Sequence, residues 1–226
     1  MSLTTGRGPL GKQPAGRFSA PLPEGVVYVE PHPRRLQAVV DGAVVLDTER
    51  ALLVHRPGHV LRYAFPADAV GSLPHEPDPE APGYVTVAWD AVDTWVEEGR
   101  ELVSYPPNPY HRVDCRPTKR RLHVEAAGEV LVDTDDTIIL FETALEPKLY
   151  APKAAVRTDL LQPSATSTYC NYKGHATYWS ATVGDVVVHD VAWSYEDPYP
   201  ESLPIKGWLS FDPDKATVAA ALPRSQ

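Results

Sequence analysis

Methionine occurs once, cysteine twice and phenylalanine four times in this chain of 226 residues. The cysteines, Cys115 and Cys170, form no Cys-x-x-Cys pair, so a four-ligand structural zinc is not expected, and no residues are assigned to a metal. No stretch approaches the roughly 18 consecutive apolar residues that a membrane-spanning helix needs. No apolar run follows a basic start at the N-terminus, so a secretory signal is not expected. The expected location is cytoplasmic, with reduced thiols. Basic charge is short as well: 21 Lys and Arg stand against 30 Asp and Glu, for a net charge of −9. Proteins that grip a phosphate backbone carry a basic stripe or domain. Neither nucleic acid nor a membrane is therefore an expected partner, and Lys119–Arg121 reads as a solvated strand end.

Proline is abundant, at 24 residues. It favours short strands and rigid turns over long helices. An internal repeat organises the chain. Arg34–Thr48 aligns without gaps onto Arg120–Thr134, matching Arg35 with Arg121, Leu36 with Leu122, Gly42 with Gly128, Asp47 with Asp133 and Thr48 with Thr134, an offset of 86 residues. An offset held this long points to duplication. Each copy reads as successive short strands rich in β-branched residues, with Asp41-Gly42 as a two-residue hairpin turn. The expected division is an extended or poorly ordered arm at 1–33, a first β-rich repeat at 34–105, a connector at 106–119, a second β-rich repeat at 120–215 and a tail at 216–226. Val26–Val29 is a candidate edge strand within the arm, and the tail reads as weakly helical.

The copies then diverge. The first has a Pro-rich loop at 74–82, a strand at Tyr84–Trp89, and then Asp90–Glu98. Val92, Trp95 and Val96 there have i, i+3, i+4 spacing, and Asp90 is a suitable N-cap, so a short one-sided helix is predicted. The second has Thr168–Trp179 (TYCNYKGHATYW), which crowds a thiol, a lysine, a glycine and aromatics into one segment. Strands are expected at Tyr178–Val183, Val186–Asp190 and Ile205–Phe211.

Several motifs carry a family resemblance: Trp89–Trp95 (WDAVDTW) with Glu97-Glu98, Pro109–Asp114 (PYHRVD), Asp159–Pro163 (DLLQP), Cys170–Gly174 (CNYKG), Tyr178-Trp179 and Ala192–Tyr195 (AWSY). Over roughly residues 34–212 the chain resembles the domain-of-unknown-function family 427 in its tandem two-copy form. It departs from the family pattern at Asn171, where Pro is usual, and in its short acidic ending at Asp212–Asp214. The resemblance implies a β-tent-like fold. Many β-tent relatives carry a zinc knuckle of paired cysteines, which this chain lacks. The nucleotidyltransferase-like label attached to the family finds no support in the motifs. There is no Gly-Ser motif with a spaced Asp-x-Asp and no Gly-rich phosphate loop.

Candidate chemistry centres on the second copy. Cys170 is a candidate nucleophile or redox thiol beside Lys173, with His175 or His189 as a possible base; the competing reading is a buried small hydrophobe. Lys173 before Gly174 is a candidate cation for a carboxylate or phosphate; the competing reading is an ion pair with an acid such as Glu142 or Asp159. Tyr172, Tyr178, Trp193 and Tyr195 are candidate pocket walls, or simply sheet core. Adjacent Tyr178 and Trp179 should face opposite sides of a strand, and Trp193 and Tyr195 the same side. Arg112 is a candidate anion clamp, or else pairs with Asp114 or Glu98.

The expectation is thus a mainly β fold of two related β-tent-like units with one or two short helices. Its first functional reading is a small-molecule binding module, with anions among the ligands considered and the pocket in the second repeat. The alternatives are an enzyme using Cys170 or Lys173 and a protein-interaction or structural domain. Ligand, cofactor and oligomeric state are left open by the sequence.

Overall fold

A computed structural model describes residue 4 and residues 6–223 of the chain. Residues 1–3 and 5 of the expected arm and 224–226 of the expected tail lie outside the described residues. The fold is mainly β. Helical structure among the described residues is confined to four short 3-10 turns, and no helix there is long and apolar enough to cross a membrane. Two compact units divide the chain, Met1–His111 and Arg112–Gln226.

The first unit contains β1 (Tyr28–His32), β2 (Leu36–Val40), β3 (Ala43–Thr48), β4 (Ala51–His55), β5 (Arg62–Pro66), β6 (Glu76–Pro77), β7 (Tyr84–Thr86), β8 (Thr94–Glu97) and β9 (Arg100–Leu102). They form two antiparallel sheets, ordered β1-β4-β5-β7-β6 and β3-β2-β8-β9. Asp41 and Gly42 both have positive φ, 51° and 75°. That matches the right-handed twist of the strands they join. Leu36 and Ala38 alternate inward from β2 onto a core that includes Leu53, Tyr63, Phe65 and Trp95.

The arm does contribute an edge strand, paired with β4, but shifted: it spans Tyr28–His32 and takes in only Tyr28 and Val29 of the expected Val26–Val29. Another sequence expectation fails here. The helix expected at Asp90–Glu98 is absent. A 3-10 turn at Trp89–Ala91, with no side-chain cap, leads into β8. β8 lies between β2 and β9, which take up its backbone hydrogen bonds. Trp95 and Glu97 are buried while Thr94 and Val96 are half-buried. The period is two, and tertiary pairing has overridden a spacing that also fitted a helix.

The second unit contains β10 (Val113–Thr118), β11 (Leu122–Ala126), β12 (Glu129–Thr134), β13 (Thr137–Glu142), β14 (Lys148–Tyr150), β15 (Leu161–Cys170), β16 (Gly174–Val183), β17 (Val186–Ser194), β18 (Leu209–Phe211) and β19 (Thr217–Ala220). Its sheets run β10-β13-β14, β12-β11-β19 and β15-β16-β17-β18. Most of the expected connector at 106–119 that falls in this unit is β10, bonded along its length to β13. Within the expected tail Thr217–Ala220 is a strand and not a helix: it pairs with β11, and Val218 packs on the core.

Corresponding pairings recur in the two units with the 86-residue offset seen in the sequence. Leu36 pairs with Thr48, and Leu122 with Thr134. The β2–β3 register shifts between Ala38 and Val39, and the β11–β12 register between Val124 and Glu125. Tyr28 faces His55, and Asp114 faces Phe141. Leu52 faces Ala64, and Ile138 faces Tyr150. Phe65 pairs with Val85; Ala151, at the same offset from Phe65, bridges Leu209, which lies beyond that offset from Val85. Between these last points the second unit carries an additional feature, the long β15–β16 hairpin.

Candidate functional site

The Cys170–Gly174 segment is the tip of the β15–β16 hairpin, closed by the pairing of Cys170 with Gly174. The Lys173 N–H donates to the Cys170 carbonyl at 3.3 Å. The Lys173 carbonyl accepts from the Tyr199 N–H at 3.2 Å. Gly174 has φ +91°, and a Cβ there would lie 3.4 Å from the Asp197 carbonyl oxygen. Glycine therefore serves both the left-handed backbone and the close approach of the next segment.

The tip delivers Lys173 inward. Its ammonium forms an ion pair with the carboxylate of Glu142, at the end of β13, and each side chain is only 8% exposed. The Lys173 Nζ also lies 5.8 Å from the ring centre of Tyr195. Around them Tyr150, Tyr172 and Tyr195 are buried in one cluster with Val113, Leu140 and Ile205. Cys115, Cys170, Tyr178, Trp193 and Trp208 are half-buried against the same cluster. The Trp193 Nε1–H donates to the Tyr150 hydroxyl at 3.1 Å, with the rings perpendicular. Burial pushes the Tyr150 and Tyr195 phenols well above their ordinary range, so both stay protonated hydrogen-bonding groups. Burial, reinforced by the charge of Asp114, pushes the Cys115 thiol up to about 11. That disfavours it as a thiolate nucleophile.

The structure thus gathers Cys170, Tyr172, Lys173, Tyr178, Trp193 and Tyr195 around one centre. Tyr178 packs on this cluster while adjacent Trp179 packs on the other core of the unit; Trp193 and Tyr195 are on the same side. Of the two acids considered for Lys173, Glu142 is the partner, and Asp159 is paired with Arg157. Arg112 is not in the cluster: its side chain is exposed and its backbone N–H donates to Thr143 Oγ1 at 2.9 Å. His175 lies against Tyr169, ring centres 5.0 Å apart, and both His175 and His189 are exposed. Sequence reasoning missed Tyr150, Cys115 and Trp208. They come from three separate strands or turns and carry no local motif.

It also missed two polar networks in the first unit. The His32 ring, 3% exposed, sits 2.9 Å from Glu97 Oε2, which also accepts from the Tyr63 hydroxyl at 2.7 Å. Arg34 Nη1 donates to the other oxygen at 2.6 Å. Burial alone would raise the Glu97 carboxyl, but these hydrogen bonds outweigh it and bring the group down to about 2. In the second network Glu30 accepts from Tyr110 at 2.6 Å and lies 2.7 Å from the fully buried His55 ring. The only sequence sign of either network was Glu97-Glu98 and Pro109–Asp114 among the family motifs.

Compared with known families, residues 114–221 match a family described as a domain of unknown function (DUF427). The matched region lies in the second unit and includes the Lys173 cluster and its hairpin. No curated protein matches the chain.

Proposed function

We infer that the second unit is a small-molecule binding module whose site is the Lys173–Glu142 pair and its aromatic surround. The observation that carries this reading is the pair itself. A buried ion pair adds little to stability compared with apolar residues of the same volume. One held at a hairpin tip among three buried tyrosines, with Trp193 and Tyr178 half-exposed beside it, is better explained by recognition. The pair offers a donor and an acceptor side by side and is neutral as a unit. The ligand class that suits it is a small polar molecule with both a donor and an acceptor and an aromatic or flat face. A simple anion is less suited, because it would have to displace Glu142 from Lys173. The recurring register of the two units further supports a tandem pair of copies of one domain, the first without the β15–β16 hairpin. Two free thiols suit a cytoplasmic setting.

The test is thermal unfolding of the full chain against nucleosides, amino acids and amides, with nucleotides, sugar phosphates and organic acids alongside. A ligand at about 100 times its dissociation constant adds ~2.7 kcal/mol, a shift of a few degrees for a chain of this size. The reading expects a neutral or zwitterionic hit that Trp193→Ala weakens and that Lys173→Met/Glu142→Leu abolishes. A hit that survives the double substitution would place the site elsewhere.

A further inference from the structure

We propose that the first unit carries a ligand site of its own, which takes a small organic anion with an apolar body. The site is a cavity of about 440 Å³, within the usual range of small-molecule pockets. One wall is the chain before β1, contributing Leu22, Pro23, Val26 and Val27; the other is the turn after β4, contributing Arg56, Pro57 and His59.

The first wall is anchored at Val27 and the second by its turn. Val27 packs against the cluster of Val54, Ala64 and Ala81. The turn is closed by the His59 N–H donating to the Arg56 carbonyl at 3.0 Å. The Gly58 N–H donates to the Thr4 carbonyl at 2.7 Å, and Thr4 Oγ1 donates to the His59 carbonyl at 2.8 Å. Gly58, at φ +74°, supplies the left-handed backbone that this turn needs.

Arg56 is the one arginine or lysine among the cavity's lining residues. Glu80, the one acidic lining residue, shares Arg62 with Asp78, which leaves that group of three with one net negative charge. Arg56 is exposed and has no ion-pair partner among the described residues. Its planar guanidinium suits two-point recognition of a carboxylate, phosphate or sulfonate. His59 also lines the cavity, and its ring carries a further N–H. The Leu22, Pro23, Val26, Val27 and Pro57 surfaces suit a hydrocarbon ring or branched chain. Arg56 thus supplies the charge recognition and the two apolar walls the remaining contact area.

Isothermal titration of the full chain with phenylacetate, phenyl phosphate and 2-naphthalenesulfonate tests this, with phenylacetamide as the uncharged control. Saturable binding of at least one anion is expected, with phenylacetamide weaker than phenylacetate. Which anion binds best distinguishes carboxylate, phosphate and sulfonate recognition. Arg56→Gln, an exposed change that should leave the melting temperature unaltered, should weaken binding by about tenfold or more, since it removes a two-point charge-assisted contact. Trp193→Ala, in the second unit, should leave it unchanged. The proposal is overturned if none of the three anions binds, if phenylacetamide binds as tightly as phenylacetate, or if Arg56→Gln leaves the affinity unaltered.

Discussion

Lys173 and Glu142, 31 residues apart in the chain, meet as an ion pair that is almost closed to water, each side chain 8% exposed. Removing one partner strands the other charge in a low-dielectric setting, whereas removing both does not. Lys173→Met should therefore cost ~3–5 kcal/mol. Lys173→Met/Glu142→Leu should recover most of that loss or exceed the parent. Urea unfolding at neutral pH compares the three proteins. A single variant as stable as the parent would mean that water reaches the carboxylate.

Local patterns were legible in the sequence and non-local ones were not. The Asp41-Gly42 hairpin could be read because turn chemistry and strand alternation are both local. Lys173 could be singled out from its place before Gly174, and Glu142 stood among the acids considered. Val92, Trp95 and Val96 misled because their spacing fits one helical face and does not exclude a strand. What decided the matter was the presence of β2 and β9 on either side, a fact of pairing and not of local sequence. Thr217–Ala220 took the strand form for the same reason, through β11. Tyr150 and Cys115 join the cluster from β14 and β10, and Glu97 meets His32 across 65 residues. No window of sequence contains such pairings.

The first unit should show an acid-sensitive stability that passes through Glu97. Its folded carboxyl lies at about 2 against an ordinary value of 4.5, because the bonds from His32, Tyr63 and Arg34 outweigh the burial that would raise it. A depressed carboxyl stabilises the fold fully above the unfolded value of 4.5. That contribution fades as pH falls towards about 2 and is gone below it. The difference corresponds to ~3 kcal/mol. Denaturant unfolding of the parent and Glu97→Gln at several pH values between 5 and about 2 checks this. The parent should lose stability across the window and the variant should be flatter. Parallel profiles would remove Glu97 as the cause.

Cys115 should react slowly with thiol reagents. Burial, with Asp114 in support, raises it to about 11 from an ordinary 9.0. The reactive species is the thiolate. At pH 7.5 its fraction is then about 100-fold below that of an unperturbed thiol. In Cys170→Ser the remaining thiol can be followed alone with a chromogenic disulfide. The rate should climb about tenfold per pH unit well beyond pH 9. A plateau near pH 9 would mean that the thiol is more solvated than its half-buried position suggests.

Residues 112–226 should fold without the first unit. β10 to β19 form three sheets drawn from that unit alone, and two buried clusters lie beneath them. A chain of this length buries enough apolar surface for independent stability. The isolated segment should give a β-type circular dichroism spectrum and one cooperative thermal transition. Lys173→Met should lower that transition as it does in the full chain, because Glu142, Tyr150 and Tyr195 all belong to the same unit. A segment that melts without cooperativity would mean that its clusters need the preceding residues. Cooperative melting with no effect of Lys173→Met would mean that the hairpin tip docks on Glu142 only in the full chain.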